Sequence, residues 1–119
     1  MATQSQTADP IAPLRVADLQ IDALHRAIQQ GTREVRLTPD EHVLLYTLVA
    51  KAGSVVTYRE LAAALGRTTL QVRNNTLARH LSGLRQKLRD DALCPRYIET
   101  VAGIGYRMLA PMQERERIA

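Results

Sequence analysis

The hydrophobic period of this chain changes once, at Thr38, and that change bounds the folds open to it. Up to Leu37, apolar residues share faces at every second position: Leu14 with Val16, Leu19 with Ile21, Val35 with Leu37, while Ala27 and Gln29 oppose Arg26 and Ile28. Breaks fall at Ala17-Asp18, around Asp22–His25 and at Gln30-Gly31-Thr32. Period two broken this often predicts a small antiparallel meander of about four short strands. From Thr38 the period is helical. Thr38-Pro39-Asp40-Glu41 is a capping box with proline at the first helical position. Val43, Leu44, Leu45, Leu48, Val49 and Ala52 follow at helical spacing, and Gly53 is a stop. Val55 and Val56 are suited to a short strand. Thr57-Tyr58-Arg59-Glu60 is a second capping box; Leu61, Ala62 and Leu65 complete a short helix that Gly66 ends. A polar loop, Arg67-Thr68-Thr69-Leu70-Gln71, leads to a third helix over roughly 72–89. Residues 97–109 read as two strands around Ala102-Gly103-Ile104-Gly105, whose glycines permit a tight turn with positive φ.

This order of elements predicts an α+β fold: a winged helix-turn-helix with an N-terminal four-stranded antiparallel sheet, three helices and a C-terminal β-hairpin wing. The chain of 119 residues has room for one domain, expected over 14–110. Residues 1–13, polar with two prolines, read as a disordered tail or linker, and 111–119 as a C-terminal tail. Phe and Trp are absent and Tyr46, Tyr58, Tyr97 and Tyr106 are the only aromatics, so the core must be aliphatic. The same shortage disfavours base-stacking platforms, and hence single-stranded nucleic acid as a ligand. Cys94 is the only cysteine, which fits a reducing compartment. With no apolar run of membrane-spanning length and no signal-peptide core, a cytoplasmic protein is expected.

Charge is segregated. Residues 1–60 carry six Lys/Arg against seven Asp/Glu, a balance of −1; residues 61–119 carry ten against five, a balance of +5. From Leu61 to Arg89 there is no acid, while Arg67, Arg73, Arg79, Arg85, Lys87 and Arg89 fall within that stretch. Glutamate is a good helix former and normally alternates with cations on solvated faces, so its exclusion points to a polyanion, above all the phosphate backbone of nucleic acid. At 100° per residue, Leu77, Leu81, Leu84 and Leu88 occupy a sector of about 60° that must face the core. Asn75, Thr76, Arg79, Ser82, Gly83 and Gln86 fall opposite; Arg73, His80 and Lys87 line one border, and Asn74, Ala78 and Arg85 the other. Hydrogen-bonding tips flanked by cations suit a major groove, with base edges ahead and a phosphate wall on each side.

Other chemistries find less support. His25, His42 and His80 lie on three different elements without ligand spacing, so no metal site is expected. Cys94 precedes Pro95 in a loop with no redox motif around it. Gly103 and Gly105 do not follow a strand and open a helix, as a phosphate-binding loop would. No nucleophile–base pair or carboxylate dyad stands out, so neither catalytic residues nor a cofactor is expected.

The segments LTPDEHVLLYTLVAKAGSVVTYREL, HLSGLRQKL and PRYIETVAGIGYRM, in this order and at these distances, resemble the C-terminal winged-helix effector domain of OmpR/PhoB-type response regulators, in its KdpE-like branch. The resemblance covers roughly residues 14–110. It implies sequence-specific binding of double-stranded promoter DNA, with the third helix in the major groove and the wing, with Thr100, Ala102 and Gly103, at the neighbouring minor groove. Asn75, Thr76, His80 and Arg85 match positions of phosphate or groove contacts, and Ala78, Arg79, Ser82 and Gly83 positions of base-facing or further backbone contacts. Loop residues Arg67–Gln71 match the segment through which family members touch RNA polymerase; the plain alternative is a connector. Departures are visible. Several members carry arginines where this chain has Ser82 and Gly83, a minor-groove arginine is often found at the position of Ala102, and a tryptophan is common at that of Leu65. They leave open a second reading, a winged-helix protein-interaction module that has lost specific DNA binding. Family members pair largely through a receiver domain, so this chain by itself is expected to be a monomer.

Overall fold

The computed structural model describes residues 14–22, 26–68 and 72–109. The expected tails, His25 and the end of the Arg67–Gln71 loop lie outside the described residues. Four strands come first: β1 (Leu14–Val16), β2 (Leu19–Asp22), β3 (Ala27–Gln30) and β4 (Arg33–Arg36). They pair antiparallel in sequence order. Ile21 lies across from Leu14 on one side and Ile28 on the other, and Ile28 pairs with Val35. Val16, Leu19, Ile21, Ile28 and Val35 are all buried, so one face of the meander is a continuous aliphatic row and the other is wet.

Both capping boxes form. In α1 (Pro39–Ala50) the Thr38 hydroxyl accepts from the Glu41 N–H at 3.1 Å, and the Glu41 carboxylate accepts from the Thr38 N–H at 3.0 Å. Thr57 and Glu60 repeat the exchange at α2 (Tyr58–Ala64), which follows directly on β5 (Val55–Thr57). The Thr57 N–H, and after it Lys51, hold the Glu60 carboxyl below the usual carboxylate range. Helix α3 (Asn74–Leu88) starts two residues later than the leucine period suggested, because Arg73 has extended backbone at φ −78°, ψ 160° and stands as the N-cap.

The wing has three strands. β6 (Ile98–Val101) and β7 (Gly105–Met108) make the expected hairpin, and β5 joins the outer edge of β7, giving the order β5-β7-β6. Of the two hairpin glycines, Gly103 takes positive φ, at +78°, and Gly105 does not. Gly105 is needed for a different reason: a Cβ there would lie 2.0 Å from the Val56 carbonyl oxygen. Gly105 therefore serves the approach of β5 to β7 and not, as expected, the turn that Gly103 makes.

Leu44, Leu45, Leu48 and Val49 of α1, Leu61 and Ala62 of α2 and the four leucines of α3 fill one core with the sheet. Tyr97 and Tyr106 add the only fully or nearly fully buried aromatic rings among the described residues. Burial and the hydrogen bond that the Tyr97 hydroxyl donates to Asp18 both push that phenol's pKa up. The meander also closes the end of α3. Gln30 Nε2 donates to the Leu88 carbonyl at 2.6 Å, and an Arg33 guanidinium nitrogen to the Lys87 carbonyl at 2.7 Å. Those carbonyls have no partner inside the helix, so the N-terminal sheet supplies what the helix lacks.

Candidate nucleic-acid interface

The outer face of α3 is narrower than the wheel predicted. Asn75, Ala78, Arg79, Ser82 and Gln86 are exposed along one stripe. Thr76, His80, Gly83 and Lys87 are half-buried on the side turned to α1. Gly83 is therefore not on the outer face. A Cβ there would come 2.8 Å from Glu41 Oε2, so the missing side chain makes room for the α1 carboxylate. Glu41 Oε1 also receives Lys87 Nζ at 2.6 Å, which makes this buried glutamate at once a cap, a spacer and a counter-charge.

Arg85 departs further from expectation. It is buried and turned away from the outer stripe. One guanidinium nitrogen donates to the Ile98 carbonyl at 2.9 Å and to the Thr100 hydroxyl at 2.8 Å, and the group lies 5.7 Å from the centre of the Tyr106 ring. Its Nε has no hydrogen-bond partner. A charge this far from water is tolerated only with good partners, and here they are Ile98 and Thr100 of β6 and the Tyr106 ring of β7. Arg85 thus fastens the wing to α3, and Thr100 is the other end of that fastening. Wheel position could not show this, because the reach of a long side chain is set by what stands beside the helix.

The cations divide into two groups. Arg67 lies 3.5 Å and His80 3.7 Å from the same Asp40 oxygen, and Lys87 is paired with Glu41. Arg73, Arg79 and Arg89 have no ion pair among the described residues, and all three are exposed. Arg73 opens α3, Arg79 stands at its middle and Arg89 at its end in the left-handed region, at φ 58°. The start of α3 has no side-chain cap, unlike α1 and α2, so its first N–H groups are open to an incoming acceptor. The hairpin tip, with Ala102, Gly103 and Ile104, is exposed. The acid-free stretch thus serves two ends: half of its cations answer acids of α1 or carbonyls of the wing, and half are free.

Asp90 was not singled out in the sequence, yet it organises the turn from α3 into the wing. Its carboxylate accepts from the N–H groups of Arg96 at 2.6 Å and Ile98 at 3.0 Å. An Asp ahead of a Pro-containing loop was the available signal. Cys94 is exposed in that loop. Among the described residues no group of three His, Cys, Asp or Glu is placed to hold a metal, and no helix is long and apolar enough to cross a membrane.

Residues 32–108 match the family model described as "Transcriptional regulatory protein, C terminal". The KDP operon transcriptional regulatory protein KdpE of Escherichia coli is 36% identical over 105 residues, covering 88% of this chain and 47% of that protein. The regulatory protein VanRc of Enterococcus gallinarum is 39% identical over 82 residues, covering 69% of this chain and 35% of that one. The chain therefore spans less than half the length of these relatives. Among solved structures, the Klebsiella pneumoniae RstA DNA-binding domain, determined in complex with the RstA box, superposes with a TM-score of 0.74 at 28% identity over 82% of this chain and 96% of that one. The E. coli CpxR DNA-binding domain gives 0.70 at 30% identity, over 82% and 95%. Matched over most of its length in sequence and in fold, the chain belongs to the C-terminal domain family of transcriptional regulatory proteins, in the winged-helix form of OmpR/PhoB-type response regulators.

Proposed function

We propose that this domain binds double-stranded promoter DNA, with α3 in the major groove and the tip of the β6–β7 hairpin at the adjacent minor groove, and that it is the cytoplasmic effector module of a two-component regulator. The observation that carries this reading is the exposed stripe of α3. It offers Asn75, Arg79, Ser82 and Gln86 to base edges, and Arg73 and Arg89 at its two ends to phosphates, with no carboxylate on that face. The relative solved on its DNA box supports it through a shared fold. Arg79 is the base reader of choice, since a guanidinium can bridge the N7 and O6 acceptors of guanine. His80, Thr76 and Lys87 serve the phosphate wall on the α1 side, and Arg85 serves by holding the wing. The loop opened by Arg67 is the surface offered to RNA polymerase.

Fluorescence anisotropy on labelled duplexes over a salt series tests this. Three free arginines, joined by the paired cations that phosphate can recruit, give a slope of log K against log salt of about −3 to −5. Arg79→Ala is expected to weaken cognate binding by about 1–3 kcal/mol and random binding by less. A flat salt response, or no binding at low salt, would sink the reading in favour of a protein-interaction module.

A further inference from the structure

Asp40 occupies the second position of α1, between the proline and the capping glutamate. It takes no part in the capping box, which Thr38 and Glu41 complete by themselves. What Asp40 does is meet an arginine and a histidine from elsewhere in the chain. Arg67 NH1 comes from the end of the α2 turn, at 3.5 Å, and His80 Nε2 from the middle of α3, at 3.7 Å, and both approach the same oxygen, Oδ2. The carboxylate is about a third exposed, and so is His80; Arg67 is more open still. One half-solvated anionic oxygen, met by a guanidinium from the turn after α2 and an imidazole from α3, is the arrangement that a DNA phosphate oxygen would make there.

We infer that Asp40 is an internal counter-ion that stands where a DNA phosphate will stand, holding Arg67 and His80 in place in the free domain and giving them up on binding. The inference rests on the duplex-DNA reading above. Its consequence has a sign. When phosphate takes Arg67 and His80, the released carboxylate draws a cation from solution. That uptake offsets part of the counter-ion release that drives binding, so Asp40 makes affinity lower and less salt-dependent than the cation count alone would give. Exposed pairs of this kind contribute little to stability, so the contact is cheap to exchange. Glu41, by contrast, is buried, caps α1 and spaces α3 through Gly83.

The test compares the wild-type chain with Asp40→Asn and Asp40→Glu on one labelled random duplex and one promoter duplex over a salt series, with thermal unfolding as the control for fold. Asp40→Asn is expected to bind both duplexes about three- to tenfold more tightly at low salt, with a slope steeper by about 1. Asp40→Glu, which keeps the charge, is expected to return to the wild-type slope. If wild type binds and Asp40→Asn leaves both affinity and slope unchanged, or weakens binding, the inference is overturned and the DNA reading stands. If Asp40→Glu behaves like Asp40→Asn, position and not charge is at work, and the inference is overturned as well. If wild type itself shows no salt-dependent duplex binding, the DNA reading fails and takes the inference with it.

Discussion

Arg79 and Arg85 are two arginines on one helix, six residues apart, with opposite surroundings. Arg79 is exposed and has no ion pair among the described residues; Arg85 is buried and holds Ile98 and Thr100. Loss of Arg85 leaves the buried Ile98 carbonyl with one partner fewer and frees the wing's Thr100, so Arg85→Ala is expected to cost about 1–3 kcal/mol of stability, read by denaturant unfolding. Arg85→Lys is not expected to restore it, because both bonds come from one terminal guanidinium nitrogen that the shorter lysine does not reach, and an ammonium is the more strongly hydrated group to bury. Arg79→Ala should leave unfolding unchanged. His42 is a third residue whose setting decides its chemistry. It is buried in α1 with Nδ1 unpartnered; burial first, and Arg26 second, push its pKa down, against a smaller upward pull from Asp22. A depressed folded pKa means that the unfolded chain takes up the proton first, near pH 6.5, so stability is full above that pH and falls as pH drops toward the folded value. Melting temperatures from pH 7.5 to 5.5 should therefore fall, and His42→Leu should flatten the part of that slope that belongs to this residue.

At the scale of elements, the wing is the one whose form departs from a local reading. It is a three-stranded sheet because β5, a strand of three residues, adds to β7. The register sets Thr57 opposite Gly105, and the absence of a side chain at Gly105 is what permits that closeness. Gly105→Ala must push backbone against backbone, and is expected to destabilise the domain by at least about 2 kcal/mol, a fall in Tm of roughly 10 °C. Gly103→Ala meets open space and bears only the strain of positive φ, about 1 kcal/mol. If the two variants melt alike, the close approach of β5 is not what holds the wing.

For the molecule as a whole, the apolar faces of the sheet and of all three helices are consumed by one core. Large exposed apolar residues among the described ones are few: Val55, Leu93, Ile104 and Leu109. The 119-residue polypeptide is expected to sediment as a monomer at tens of micromolar and to bind a single half-site only modestly. Joining a dimerising domain ahead of Leu14 is then expected to raise apparent affinity on tandem sites by about 10²-fold, through effective concentration alone. A stable dimer of the unfused polypeptide in sedimentation would overturn this and direct attention to the outer face of the N-terminal sheet.

Period and caps were legible in the residues because they are properties of one element at a time. Strand alternation, two Thr-x-x-Glu boxes and a leucine stripe each express geometry within about a turn or a strand, and the structure keeps all of them. The family motifs carried the order of elements in the same way. What the sequence could not express is which cation meets which anion. Arg67, Arg79, Arg85 and Lys87 are alike as symbols, yet two answer acids of α1, one holds the wing and one is free. Gly83 and Gly105 look like loose positions, and both are points of close approach between distant segments. Those assignments depend on how α1 crosses α3 and on how β5 lies along β7. Long side chains reach across such crossings, so only the tertiary structure decided which charges are left for a partner.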